Sequence, residues 1–153
     1  MGAYVFTTCS SKNLDFVKKL GADRAIDYKN EDYAEVIYQE TDELGVDLVL
    51  DTVGGQTIQR SPEIIRPFGK LVSIVDTETP QSLIEAWGKN LTIHFVFTPQ
   101  YRAKLEALTK LIERTQLRPV INSTLSWDRV IQAHQRLERG GTQGKIVLDF
   151  TKS

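Results

Sequence analysis

Short apolar runs, rich in β-branched residues, alternate along this chain with segments whose apolar positions recur every three or four residues. The first run, "YVFTT" (Tyr4 to Thr8), is bounded by Gly2 and a serine pair and predicts a strand. Leu14, Val17 and Leu20 then mark one helix face, with Ser10 or Ser11 as its N-cap and Gly21 as its stop. "RAIDY" predicts a second short strand. Tyr33, Val36 and Ile37 line a second helix that closes at "ELGV". "VDLVLDTVGG" carries the strongest strand signal, apolar almost without interruption until Asp51 and a glycine pair.

The remaining pattern is similar. "QTIQRSPEIIRP" predicts a weaker helix interrupted by Pro62, "GKLVSIV" a buried strand, "PQSLIEAWGKN" a helix, and "LTIHFVF" a strand ending at Pro99. Leu105, Leu108, Leu111 and Ile112 define another helix, and "RPVI" a short extended piece. Val130, Ile131, His134 and Leu137 mark a last helix stopped by Gly140 and Gly141, and "GKIVLDF" closes the chain as a strand. Strands alternating with helices imply crossover units: an α/β fold, doubly wound, with a mostly parallel sheet and helices on both faces. No internal repeat or low-complexity linker divides the chain.

In such sheets ligands bind at the carboxyl ends of the strands. Attention therefore falls on Thr8 to Lys12, Tyr28, Asp51 to Gly55, Ser73 to Asp76 and Phe95 to Thr98. A 2′-phosphate on an adenosine ribose needs cationic or hydroxyl donors, whereas a free 2′-hydroxyl prefers a carboxylate acceptor. Thr8, Ser10, Ser11 and Lys12 supply donors, and no Asp or Glu lies between residues 4 and 14. If this turn holds a dinucleotide, it favours NADP(H) over NAD(H). The bland alternative is that the serines cap a helix and Lys12 is solvated. Asp51, with Gly54 and Gly55, reads either as a wall of a cofactor cleft or as a turn with a capping carboxylate.

Composition narrows the classes without choosing among them. The 153 residues suit one domain, with 41% hydrophobic and 25% charged residues. A net charge of -1 gives no footprint for nucleic acid or an anionic membrane. The longest apolar runs fall far short of a bilayer span, and the start "MGAYVFTTCSSK" lacks a signal-peptide pattern, so a cytoplasmic protein is expected. One cysteine excludes an internal disulfide, and no His/Cys cluster predicts a metal site. Cys9 has only Lys12 as a nearby base, a poor setting for a nucleophile. His94, His134, Trp87 and Trp127 are expected to pack. "GGTQGK" is not a P-loop, because Arg139 and Ile146 stand where glycine and Ser or Thr are needed. "DLVLD" is like the phosphate-accepting strand of receiver domains, yet the acidic pair and lysine of that site have no counterparts.

Taken together, "GAYVFTTCSSKNLDFVKKLGADRAIDYKNEDY", "GVDLVLDTVGG", "GKLVSIV" and "TQGKIVLDF" resemble the nucleotide-binding half of the medium-chain dehydrogenase/reductases, from about Gly2 to Phe150. The branch most similar is quinone oxidoreductase-like, usually NADPH-dependent and often zinc-free. The resemblance implies a Rossmann-like sheet of strand order 3-2-1-4-5-6, in which "YVFTT" is the second strand. By that mapping residues 1–153 form a truncated NADP(H)-binding domain. They lack the family's first strand, its glycine-rich turn and the N-terminal catalytic domain. The resemblance also implies that Ser10, Ser11 and Lys12 (or Asn13) face the 2′-phosphate, with Tyr28 near it. Thr52, Val53 and Gly54 would line the middle of the cofactor, and Ser73, Ile74, Phe95 and Val96 the nicotinamide. It assigns no catalytic acid, base or nucleophile and no metal ligand.

The absent strand would leave its two neighbours with unpaired backbone groups. The closing "KIVLDF", or a segment of another copy, is expected to occupy part of that gap. Family members commonly dimerise through the edge strand that "LTIHFVF" resembles, implying a homodimer through Leu91 to Phe97. The expected function is the cofactor half of an NADP(H)-dependent reductase of quinones, enones or activated carbonyls. The alternative is a non-catalytic Rossmann-like module for nucleotide binding or dimerisation.

Overall fold

The computed structural model describes residues 2–75 and 80–151, in two compact units, Met1–Pro99 and Gln100–Ser153. In the first unit, β1 (Phe6–Cys9) and β2 (Arg24–Asp27) pair in parallel, joined by a 3-10 turn (Ser11–Asn13) and α1 (Leu14–Lys19). From β2 the chain passes through α2 (Tyr33–Glu40) to β3 (Val46–Asp51), then α3 (Gln56–Arg60) and β4 (Ile65–Ser73). α4 (Pro80–Gly88) then leads to β5 (Thr92–Phe95), and β3, β4 and β5 form a second parallel sheet in that order. In the second unit α5 (Arg102–Glu113) precedes β6 (Ile121–Ser126), and α6 (Val130–Glu138) connects it to a parallel β7 (Lys145–Asp149). Every sheet is parallel and built by helical crossovers, as the alternation of patterns requires.

One core serves both sheets of the first unit. Ile26 of β2, Ala34 and Ile37 of α2, Ile58 of α3, Ile64, and Ile65 and Leu71 of β4 are buried together, with Phe6, Val49 and Ile93 packed against them. Val49, Leu71 and Ile93 stand in one register row across β3, β4 and β5, so this row is the inward face of the sheet. Period-2 alternation puts their neighbours on the other face, where Leu48 is 54% and Leu50 61% exposed.

The edges of these sheets are as informative as the faces. The Asp51 carbonyl accepts from Ile74 N–H at 3.1 Å, so Asp51 and Val49 turn their backbone groups toward β4. Leu48 and Leu50 therefore turn theirs to the opposite edge, where β3 has no strand neighbour among the described residues. On β1 the Cys9 carbonyl accepts from Tyr28 N–H at 3.2 Å, which directs Phe6 and Thr8 to the edge away from β2. The break expected from the missing family strand thus falls between β1 and β3. The expectation that "KIVLDF" enters this gap is not met: β7 is taken into the sheet of the second unit by β6.

Other details also depart from the sequence expectations. The helix expected over "QTIQRSPEIIRP" stops at Arg60, and Ile65 to Pro67 already belong to β4, because buried Ile64 and Ile65 are claimed by the core. "INSTLS" forms β6 where only "RPVI" was expected to be extended; its polar residues hid a strand that parallel pairing with β7 stabilises. His94 and His134 are exposed rather than packed. Trp87 is 82% exposed, whereas Trp127 stacks on Phe150 at 6.4 Å from a 3-10 turn.

Candidate functional site

Parallel pairing sets the ends of β1 and β2 side by side, with Cys9 opposite Asp27. The turn after β1 and the turn after β2 consequently form one surface. Ser10 precedes the 3-10 turn with an extended backbone and makes no side-chain capping bond, so the expected serine cap is not formed. Ser11 instead donates its hydroxyl to Oδ2 of Asp27. Thr8, Ser11, Lys12 and Tyr28 are exposed on this surface, Tyr28 at 55%, and Ser10 is half-buried. The structure thus brings Thr8, Ser10, Ser11, Lys12 and Tyr28 to neighbouring strand ends.

It also brings in a group that the local sequence of the turn does not contain. Asp27, 5% exposed, accepts from Ser11 and from Asn30 Nδ2 at 2.7 Å, while Lys29 N–H donates to it at 3.2 Å. The Ser11 hydroxyl is the leading cause that lowers its pKa from the ordinary aspartate value; burial opposes this and the Asn30 amide adds to it. The turn is free of carboxylates in sequence and not in space. The available signal was the Asp preceding Tyr28 in "IDY", read with the parallel pairing of two consecutive strands. Glu31 steadies the same corner, taking Asp27 N–H at 2.9 Å and Arg24 Nη2 at 2.7 Å, which lowers its own pKa. Cys9 is buried, and burial, then the nearby Asp27 charge, push its thiol pKa up, the opposite of what a nucleophile needs.

A second turn follows β3. Asp51, 2% exposed, accepts from Gly54 N–H at 3.1 Å and Val53 N–H at 3.2 Å, and from the buried Ser73 hydroxyl at 3.0 Å. The carboxylate is therefore a brace for the turn: it closes the "DTVG" loop on itself and ties β3 to β4. Gly54 holds φ at 76°, a left-handed conformation that suits glycine. Thr52 and Val53 project outward, Val53 at 68% exposure, so side chains at this turn can meet a ligand while Asp51 cannot.

At the ends of β4 and β5, Ile74 N–H is used by the Asp51 carbonyl and Val96 N–H by the Ser73 carbonyl at 2.8 Å. The Ser73 side chain is spent on Asp51 and on Val75. Ile74, Phe95 and Val96 are exposed at 54%, 50% and 43%, offering an apolar rim and no titratable group. Asp76, the last of the stretch Ser73 to Asp76, lies outside the described residues. The twelve expected positions thus lie at the carboxyl ends of β1 to β5. They comprise an exposed polar corner at β1/β2, a glycine turn at β3 and an apolar rim at β4/β5. That sequence of chemistries fits a dinucleotide: donors for ribose and phosphate, close backbone approach in the middle, and apolar contact for a flat ring. Among the described residues, no group of three or more His, Cys, Asp and Glu side chains could hold a metal ion. Nor is any helix among them long and apolar enough to cross a membrane.

A family model described as zinc-binding dehydrogenase matches residues 20–148. The human mitochondrial NAD(P)H oxidoreductase RTN4IP1 is 29% identical over 170 residues, covering 96% of this chain and 42% of the relative. A trans-enoyl reductase of Aspergillus terreus is 29% identical over 168 residues, covering 100% of this chain and 46% of the relative. Among solved structures, the quinone oxidoreductase of Coxiella burnetii superposes with a TM-score of 0.80 at 29% identity, over 95% of this chain and 44% of that one. An alcohol dehydrogenase superfamily protein of Novosphingobium aromaticivorans gives a TM-score of 0.81 at 26% identity, over 97% and 49%. The chain therefore spans less than half the length of the relatives it matches. With a Rossmann-like fold and a family match that runs from the residue after α1 into β7, it belongs to the zinc-binding dehydrogenases of the medium-chain dehydrogenase/reductase superfamily and corresponds to their nucleotide-binding half.

Proposed function

We propose that this chain is the cofactor-binding half of an NADP(H)-dependent oxidoreductase that reduces quinones, enones or similarly activated carbonyls. The observation that carries the reading is the exposed corner at the paired ends of β1 and β2. There Ser10, Lys12 and Tyr28 offer two hydroxyls and a cation to an adenosine ribose bearing a 2′-phosphate. The relatives named for NAD(P)H oxidation, enoyl reduction and quinone oxidoreduction support the reaction class. Hydride transfer is the nicotinamide's own chemistry, and the residues at the ends of β3, β4 and β5 would orient it and exclude water. The free edges of β1 and β3, with Leu48 and Leu50 exposed beside them, support the further reading that a strand outside residues 1–153 completes the sheet. Residues 1–153 alone are expected to bind without turning over.

Titration of the chain with NADPH and NADH, followed by nicotinamide fluorescence, tests this directly. Tighter binding of NADPH is expected; tighter binding of NADH refutes the phosphate reading. Continued NADPH oxidation on adding a quinone or enone would refute the expectation of inactivity. The proposed quaternary state is a homodimer through Leu91 to Phe97. It is supported by the outer edge of β5, which no strand pairs among the described residues, and by Phe97 and Trp87, exposed at 88% and 82%. Sedimentation of the Phe97→Asp variant as a monomer beside a dimeric parent would uphold it, and a monomeric parent would refute it.

A further inference from the structure

Ser11 stands on the exposed rim of the proposed ribose corner, yet its hydroxyl proton is directed inward, to Oδ2 of Asp27. Asp27 is held in place from two other sides, by Asn30 Nδ2 on the same oxygen and by Lys29 N–H on Oδ1. Its lowered pKa keeps it ionised at neutral pH, so it accepts only. A serine hydroxyl carries one proton. With that proton committed to Asp27, Ser11 presents lone pairs to whatever reaches the turn. A free ribose hydroxyl can donate to them. A phosphate dianion cannot, and it meets the Asp27 charge immediately behind.

We propose that Asp27 is a specificity-positioning residue: by holding Ser11 as an acceptor it favours a free 2′-hydroxyl, opposes a 2′-phosphate, and so restrains the NADP(H) preference carried by Ser10, Lys12 and Tyr28. This rests on the reading that the corner receives the adenosine ribose. Its chemistry is specific. In Asp27→Asn the carboxamide oxygen still accepts from Lys29 N–H, and the amide can donate to Ser11. Rotation of the Asn30 amide then lets its oxygen face the new donor. Ser11 regains a free proton to give to a phosphate oxygen, and the opposing charge is gone.

The test uses the whole chain and two probes that report only on the adenosine end, adenosine 2′,5′-bisphosphate and adenosine 5′-monophosphate, titrated by NMR. The quantity read is the ratio of the two affinities in one folded sample, so that a general loss of stability cancels. Asp27→Asn is expected to raise the preference for the bisphosphate about tenfold, the effect of removing one like charge and restoring one donor. Ser11→Ala, at an exposed position that folding tolerates, removes the opposing lone pairs but keeps the charge, and is expected to raise it about twofold to threefold. A ratio in Asp27→Asn within twofold of the parent overturns the proposal while leaving the ribose reading intact; should that variant not fold, an unchanged ratio in Ser11→Ala overturns it equally. A parent that prefers the monophosphate, with a tenfold rise in Asp27→Asn, refutes the NADP(H) preference and upholds the role of Asp27. Failure of the parent to bind either probe overturns both.

Discussion

Replacing Asp51 by alanine isolates the brace of the β3 turn. The structure distributes the loss unevenly among its three donors. The Ser73 hydroxyl has a second acceptor, the Val75 carbonyl at 2.6 Å, and turns its single proton there. Val53 is exposed, so water replaces the carboxylate at its N–H. Gly54 is buried, and its N–H, which reaches both carboxylate oxygens at 3.1 and 3.2 Å, is left without an acceptor. An orphaned buried donor costs about 1–3 kcal/mol, and with the loss at Val53 the expected destabilisation of Asp51→Ala is about 2–3 kcal/mol. Asp51→Asn keeps one acceptor oxygen for Gly54 and is expected to lose about 1 kcal/mol, and Ser73→Ala no more than that. Urea unfolding followed by far-UV circular dichroism, with equal slopes required of all variants, provides the measurement. An Asp51→Ala midpoint equal to the parent's, or an Asp51→Asn loss as large as that of alanine, would refute the claim that the carboxylate acts through the Gly54 amide.

Three further outcomes follow from the same structure. Tyr33 Oη is buried and has no hydrogen-bond partner among the described residues, so Tyr33→Phe is expected to stabilise the chain by about 1 kcal/mol in thermal melts; a lower midpoint would refute this. Gly45 has φ 78° and its hydrogen faces the Ile64 carbonyl, which an added Cβ would meet at 2.5 Å. Gly45→Ala is therefore expected to cost at least about 2 kcal/mol by the same assay, and a neutral result would contradict the packing of the β3 entry on β4. Asp32 caps α2 at Ala34 N–H and pairs with Arg60 at 3.0 Å; the Arg60 bond leads the lowering of its pKa, as the Asp27 amide leads that of Glu31. Groups depressed in the folded state stabilise it above their unfolded values and lose that contribution as pH falls through the folded ones. Stability should accordingly decline below about pH 4, less steeply in Asp32→Asn than in the parent. An identical acid limb in urea unfolding of the two proteins would refute the assignment.

The positions where sequence and structure agree share a cause. Strands β1 to β5 and helices α1, α2, α4, α5 and α6 are each marked by a local period. In β2, α2 and β4 marked residues are buried in the core, whereas the marked face of α5 is exposed, Leu105 at 67%. The boundaries that moved did so where a long-range partner decided: Ile65 joined a strand because the core needed it, and "INSTLS" became one because β7 lay alongside. The candidate site divides in the same way. Which strand ends would gather Thr8, Lys12, Tyr28 and Gly54 could be read from the alternation of elements, since ligands meet parallel strands at their carboxyl ends.

What the chain's order of residues could not disclose is the direction in which each polar group points. Asp51 reads from sequence either as a cleft wall or as a turn with a capping carboxylate, and the structure decides for the second, because two backbone amides and Ser73 surround it. Ser11 looked like a phosphate donor and is held as an acceptor, because a carboxylate sixteen residues later sits across a parallel strand pair. Periodicity along the chain marks the elements and the strand ends that face outward, for these depend on near neighbours. The ownership of a proton depends on groups distant in sequence, and only the packed sheet brings them within hydrogen-bonding distance.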